Sequence, residues 1–280
     1  MKAINYIRNN LHILLKSFDF NKFMYITVIQ IGAFLAFFLS ARWLGNMFAR
    51  ITGSVDLTSL QNLDPSAGID PVLQSAVAKI WYYSLIFVVV MFLIWCASQL
   101  SSWIIIADRK FFRRHKTVVV KRYLKFLLFN LLWLLIWTIP IAFSMNLIYQ
   151  SSTNPALLPQ TRFWIYLFAF IVMDFVIYFT FIAYHVFART GKVRHSVKES
   201  FALGFGKIHH FILPAIIAYI LMIFAGIITM PFSGLPPNIS NWIFFVVFTL
   251  YISWMMLYFS KILLKLEQRF PKYAYKENKR

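Results

Sequence analysis

The chain has 280 residues, 60% of them apolar and only 13% charged, with a formal net charge of +19. Soluble domains carry about a quarter charged residues, so this composition excludes an ordinary water-soluble globule and makes the bilayer part of the solvent. The positive charges sit between long uncharged apolar runs, which argues against a nucleic-acid-binding domain despite the basic balance, and one cysteine, Cys96, excludes an internal disulfide framework.

The chain opens on a basic amphipathic stretch. Ile4, Ile7, Leu11, Leu14 and Phe18 recur at spacings of 3, 4, 3 and 4, while Arg8, His12, Lys16 and Asp19 take the other faces. Such a helix is suited to lying in the plane of the membrane interface. Its length and scattered charges do not match a cleavable signal, so the first apolar run reads as a retained anchor.

A helix needs about 20 apolar residues to cross a hydrocarbon core of about 30 Å. Six runs qualify, at about 23–41, within 80–107, at about 126–148, 163–188, 208–231 and 240–260. The outer loop between the first two ends in Asp70-Pro71, which reads as an N-cap and first helical residue, so the second helix is expected to start well before the bilayer. Asp56, Asp64 and Asp70 in that loop match no calcium-loop spacing and read as turn and cap residues. The last charge-free stretch, Ile208 to Ser260, is broken by Pro231, Ser233, Gly234, Pro236 and Pro237. Proline removes an amide donor and glycine tolerates positive φ, so this cluster predicts a turn between two spans.

With the N-terminus inside, segments 1–22, 108–125, 189–207 and 261–280 are cytoplasmic and hold 24 of the 28 lysines and arginines. The alternation recurs at every loop, and it predicts both termini on the cytoplasmic side of a multi-pass cell-membrane protein. Trp43, Trp81, Tyr82, Trp164 and Trp242 fall near outer boundaries and Trp103 near an inner one, where amphipathic rings favour the headgroup layer. Trp133 and Trp137 lie deeper and read as packing residues.

The fold class is therefore all-α: one membrane domain over residues 1–270, followed by a short basic tail at 271–280. Within it, residues 1–107, 108–188 and 189–270 read as a threefold repeat of a basic interfacial helix and a helical hairpin. The second unit begins with Lys116 to Phe126. The third begins with Ser196-Val197-Lys198-Glu199, in which serine and glutamate have the spacing of a capping box. The alternative is that any basic inner loop abutting a span has this look.

The run RHSVKESFALGFGKIHHFILPAIIAYILMIFAGI, from Arg194 to Ile227, resembles a recurring segment of the membrane domains attached to some glycerophosphodiester phosphodiesterases and of related multi-span proteins. The resemblance implies a membrane module. The paired acidic and histidine residues of those esterases' catalytic domain have no counterpart, so it implies no esterase activity.

Asp174 is the one ionisable group deep within a span, and intramembrane carboxylates commonly face the bundle interior and mark a pathway. At 100° per residue, Tyr178, Phe181 and His185 share its face. Asp174, Tyr178 and His185 then form a proton path or inward polar pocket, or Asp174 is a protonated acid bonded to a neighbouring helix. Gln30, Gln99 and Asn130 are candidates for interhelical hydrogen bonds, and Pro140 for a kink. Arg109, Lys110, Arg113, Arg114, Lys121 and Arg122 are the expected contacts to lipid headgroups. His209 and His210 are adjacent and should diverge by about 100° on a helix, so a metal site joining them to His185 is not expected. No metal or cofactor motif occurs.

These features favour a non-enzymatic membrane module that organises anionic lipid at the inner face or a membrane-protein partner. The alternatives are a transporter or permease component with a pathway at Asp174, and an intramembrane enzyme using histidine and aspartate as acid and base.

Overall fold

The computed structural model describes residues 2–53, 71–107, 116–154 and 157–269. Among them the secondary structure is helical, with no strand. The helices are α1 (Lys2–Ser17), α2 (Phe20–Gly53), α3 (Pro71–Ala107), α4 (Lys116–Thr153), α5 (Pro159–Thr190), α6 (Val193–Gly206), α7 (His209–Thr229) and α8 (Pro237–Arg269), with a short 3-10 turn at Met230–Phe232. Six of them, α2, α3, α4, α5, α7 and α8, are long and apolar enough to cross a membrane, as expected of a multi-pass membrane protein. Most run past the expected boundaries. α4 has 38 residues, about 57 Å at 1.5 Å per residue, well beyond a core of about 30 Å.

The breaks between helices have local causes. The Ser17 hydroxyl donates to the Leu14 carbonyl at 2.6 Å as α1 ends. Asp19 then caps α2, its carboxylate accepting from the Lys22 amide at 3.2 Å. α3 starts at Pro71, the expected position, while the Asp70 cap lies outside the described residues. α5 ends on Gly191, whose φ of 63° and ψ of 18° are left-handed, with its amide donating to the Phe187 carbonyl. α6 restarts two residues later at Val193. Ser196 is therefore already inside the first turn, and its hydroxyl donates back to the Lys192 carbonyl at 2.8 Å, so the expected capping box does not form. The proline-rich cluster makes the expected turn, with α8 starting at Pro237. In the second hairpin nothing interrupts 116–126, and the basic stretch runs straight into the span as one helix.

α5 is the centre of the bundle. It packs against α3, α4, α6 and α8, while α8 also meets α1, α2 and α7. Cross-contacts gather the starts of α2, α4 and α7 with the ends of α3, α5 and α8 at one end of the bundle. Lys22 of α2 donates to the Ile106 carbonyl of α3 at 2.7 Å. Arg122 of α4 donates to the Phe187 and Ala188 carbonyls of α5, placing a cation on the negative end of that helix.

Burial concentrates at this end. On α5 the first half buries only Ala169, whereas Phe179 and Ile182 to Ala188 are buried. Phe179, Ala183, Tyr184, Phe187 and Ala188 meet Ile26, Cys96, Leu100, Trp103, Phe126, Phe129, Trp133 and Met256 in one apolar cluster, while Ile182 and Val186 join Leu14, Leu203, Phe211, Tyr258 and Leu263 in a second. Trp133 and Trp137 pack there as expected. Trp103 corrects the sequence reading, since it is 1% exposed and set edge-on against Phe181 at 5.5 Å, not at the headgroup layer. The apolar run of α3 rotates it toward α5, and the sequence carries no sign of which face that is. Trp43, Trp81, Tyr82, Trp164 and Trp242 are all exposed.

α6 approaches α5 through Ser196, Ser200 and Gly204, all buried and four residues apart. A Cβ on Gly204 would fall 2.1 Å from the Phe179 ring, so only glycine admits this packing. α1 packs its Asn10, Leu14 and Ser17 side inward, Leu14 against the group containing Ile262, Leu263 and Leu266. Leu11 and Leu15 remain exposed, so the apolar surface of α1 is wider than the face it buries.

Candidate functional site

The polar groups on α5 that share the Asp174 face each find a different partner. Asp174, half-buried in mid-span, lies beside Tyr219 of α7. One turn on, the Tyr178 hydroxyl donates to the Gly204 carbonyl of α6 at 3.0 Å, and its ring lies edge-on to Phe211 at 5.0 Å. Phe181, next on the same face, stacks on Phe259 at 5.4 Å. His185 is 1% exposed, with its Nδ1 3.4 Å from the Ser260 hydroxyl and its Nε2 3.8 Å from Glu267. Asp174 and His185 are separated by about 16 Å along the helix at 1.5 Å per residue, and packed Phe181 lies between them.

The C-terminal end of this face on α5 holds a charge cluster with α8. Glu267 forms an ion pair with Arg189, the carboxylate only 9% and the guanidinium 33% exposed. Trp103 closes the side of His185, with ring centroids 6.1 Å apart. The carboxylate is held in place by Arg189, because removing either member of that ion pair would leave a charge without compensation. Sequence reading missed Glu267, Arg189 and Ser260 as a unit. The available signal was the apolar run Ile262, Leu263 and Leu266, which carries the buried face of α8 past Ser260 and places Glu267 on it.

Polar residues within the bundle tie helices together. Gln30 donates to the Ser102 hydroxyl at 3.1 Å, joining α2 and α3. Asn130 of α4 accepts from the Tyr184 hydroxyl of α5, which Trp95 of α3 approaches at 3.4 Å. These meet the expectation for Gln30 and Asn130, and Gln99 is buried.

Of the expected headgroup contacts, Lys121 is exposed and Arg122 is spent on the end of α5. Arg109, Lys110, Arg113 and Arg114 lie outside the described residues. Arg8, Lys16, Lys125, Lys192, Arg194 and Lys198 are exposed at the same end of the bundle. Lys265 there ties α8 to α1 through Asn9 at 2.8 Å, beside a cavity of about 50 Å³ bordered by Ser17, Asp19, Lys22, Ser260 and Lys261. His209 and His210 do not diverge as expected. Their ring centres are 4.1 Å apart, because they occupy the first turn of α7, where side chains can fold over the helix end.

A larger cavity, about 600 Å³, opens at the opposite end between α2 and α3. Neither of these cavities is lined by Asp174 or Tyr178.

No family model, curated protein or solved structure matches the chain.

Proposed function

We propose that the protein is a non-enzymatic module of the cell membrane that organises anionic lipid, or a membrane-protein partner, through the basic end of its bundle. That end faces the cytoplasm in this reading, with both termini inside, because segments 1–22, 108–125, 189–207 and 261–280 carry 24 of the 28 basic residues. The observation that carries the reading is the pairing of exposed cations with a densely packed base at one end. Arg8, Lys16, Lys121, Lys125, Lys192, Arg194 and Lys198 are exposed there, and the helices beneath them contribute most of the buried core. Rigid helices present such charges at low entropic cost, and each basic residue near an anionic leaflet contributes about 1 kcal/mol.

The exposed Leu11 and Leu15 of α1, with Phe18 just beyond its end, support an interfacial position for that helix. α1 and α6 are short helices preceding a hairpin, as a repeat of interfacial helix and hairpin requires. The second unit departs from this repeat, because its basic segment from Lys116 is continuous with the span. Arg109, Lys110, Arg113 and Arg114 extend the basic surface in sequence.

The test replaces Lys121, Lys125, Lys192, Arg194 and Lys198 with glutamine and measures retained lipid by native mass spectrometry. Retention of phosphatidylglycerol over phosphatidylcholine should fall about tenfold or more, as the loss of a few contacts of about 1 kcal/mol each requires. Undiminished preference for the anionic lipid would remove the proposal.

A second reading, a transporter with an inward pathway, draws on Asp174 itself, an ionisable residue placed in mid-span beside Tyr219. It requires water to reach Asp174 past Phe181.

A further inference from the structure

The geometry points to the seam between α5 and α7 as a docking surface for a partner's transmembrane helix that carries a lysine or arginine near mid-bilayer. α5 packs against α3, α4, α6 and α8, and α7 packs on α8 and α1. α5 and α7 themselves meet through aromatic rings. Tyr178 lies against Phe211 with centroids 5.0 Å apart, and Phe170 lies against Tyr219 at 5.7 Å. Asp174 is one turn from each of these rings on α5, between the two bridges, and beside Tyr219. It is half-buried, and exposed apolar side chains border its open side. Ile171 and Ile177 fall within about 60° of Asp174 around α5, and Ile216 and Ile223 within about 60° of Tyr219 around α7. All four are exposed. A single carboxyl group thus interrupts an apolar surface that lipid or another helix can reach.

A carboxylate at this depth is costly to leave facing hydrocarbon, and such groups are retained where a partner offsets the charge. The compensating cation is not in this chain. None of the six apolar runs contains a lysine or arginine, so neither the bundle nor a second copy of it presents a cation at the depth of Asp174. A lipid ammonium group stands at the surface, about 15 Å away across half of a core of about 30 Å. A helix of another protein can bring the charge, because lysine and arginine enter spans where they pair with an acid. Charge complementarity therefore sets the chemistry of the occupant. The Tyr219 hydroxyl gives the incoming cation a second oxygen acceptor, and the flanking isoleucines give the partner helix its packing surface. This surface lies in mid-bilayer, away from the basic end proposed above, and does not depend on it.

The experiment uses the full chain in phosphatidylcholine vesicles, together with a dansyl-labelled synthetic helix of about 20 leucine and alanine residues. Energy transfer from the protein's tryptophans to dansyl reports association. Four such helices are compared: one with a central lysine, one with a central glutamine, one wholly apolar, and one with the lysine moved two turns, about 11 Å, toward an end. The central-lysine helix should associate saturably and about tenfold more tightly than the other three, in keeping with polar contacts between membrane helices. Asp174→Asn should remove that preference, and Asp174→Glu should keep it. Equal association of the lysine and glutamine helices overturns the inference, because hydrogen bonding alone then suffices. So does a preference that the Asn variant retains, one that the displaced lysine shares, or transfer no greater than that of the wholly apolar helix. Melting temperatures of the variants are measured alongside. If the Asn variant melts early, the comparison of the four helices on the parent protein decides by the same outcomes.

Discussion

The Tyr178 hydroxyl donates a hydrogen bond to the Gly204 carbonyl at 3.0 Å, and the ring of the next residue, Phe179, occupies the space a side chain at position 204 would need. The α5–α6 contact thus combines a polar tie with steric exclusion on adjacent residues. Alanine at Gly204 would gain about 1 kcal/mol in helix propensity, but overpacking beside a buried ring costs about 1–3 kcal/mol. Gly204→Ala should lower the melting temperature in detergent, and Tyr178→Phe should cost about 1 kcal/mol. An alanine variant at least as stable as the parent would show that α6 does not approach this closely.

The Arg189–Glu267 pair predicts a strongly non-additive cycle. Either single substitution, Arg189→Leu or Glu267→Leu, leaves an uncompensated charge beside His185. For a fully buried pair the cost reaches about 3–5 kcal/mol. With Arg189 a third exposed, solvent screening reduces this to about 1–3 kcal/mol. The double variant should recover most of the loss, as neighbours that share a network do. Additive losses, read from thermal melts of all four proteins, would show that the pair contributes nothing as a unit.

Asp174 and Tyr219 give a prediction that separates a structural carboxyl from a transport group. Asp174→Asn keeps a polar side chain beside Tyr219 and should melt within about 1 kcal/mol of the parent, whereas Asp174→Leu sets an apolar side chain against that hydroxyl and should cost about 1–3 kcal/mol. Under the lipid-organising reading, Asn also leaves phosphatidylglycerol retention unchanged. If reconstituted vesicles of the parent carry a proton flux that Asn abolishes without loss of stability, the transport reading gains and the scaffold reading fails.

Topology is open to direct chemical test because the native thiol, Cys96, is buried. Cysteines introduced as Asp64→Cys and Ser233→Cys should react with impermeant maleimide on intact cells, and Lys116→Cys and Lys192→Cys only after permeabilisation. Labelling of the position-116 or position-192 variant on intact cells would invert the assigned orientation.

The number and order of the spans could be read before the fold was known, because a run of about 20 uncharged residues has one stable destination. The turn at Pro231 to Pro237 was legible for a similar reason, since backbone restriction by proline is local. Side-chain pairings were less so. Glu267 looked like one more charge in a basic cytoplasmic segment, and only its register with Ser260 and Leu263 hints that it turns inward toward Arg189. Trp103 shows the same limit, because an aromatic near a span boundary can face headgroups or core at equal cost in local propensity. The Asp174 face follows from helical periodicity along α5, but periodicity alone could not show that Tyr219, Gly204 and Ser260, on three other helices, would divide it among themselves.

Burial concentrated in one half of the bundle means that the two leaflets meet different objects. At the packed end, acyl chains slide past a consolidated column sealed by Trp103, Phe126, Phe129 and Phe187. Toward the other end, large side chains such as Leu135, Ile139, Phe163, Ile223 and Phe244 are exposed, and lipid tails stand in for protein neighbours. The cohesion of that half is therefore borrowed from its surroundings. Short-chain detergents and thin bilayers should loosen the loosely packed helix ends while sparing the packed column, leaving a protein whose sensitivity to lipid belongs largely to one leaflet.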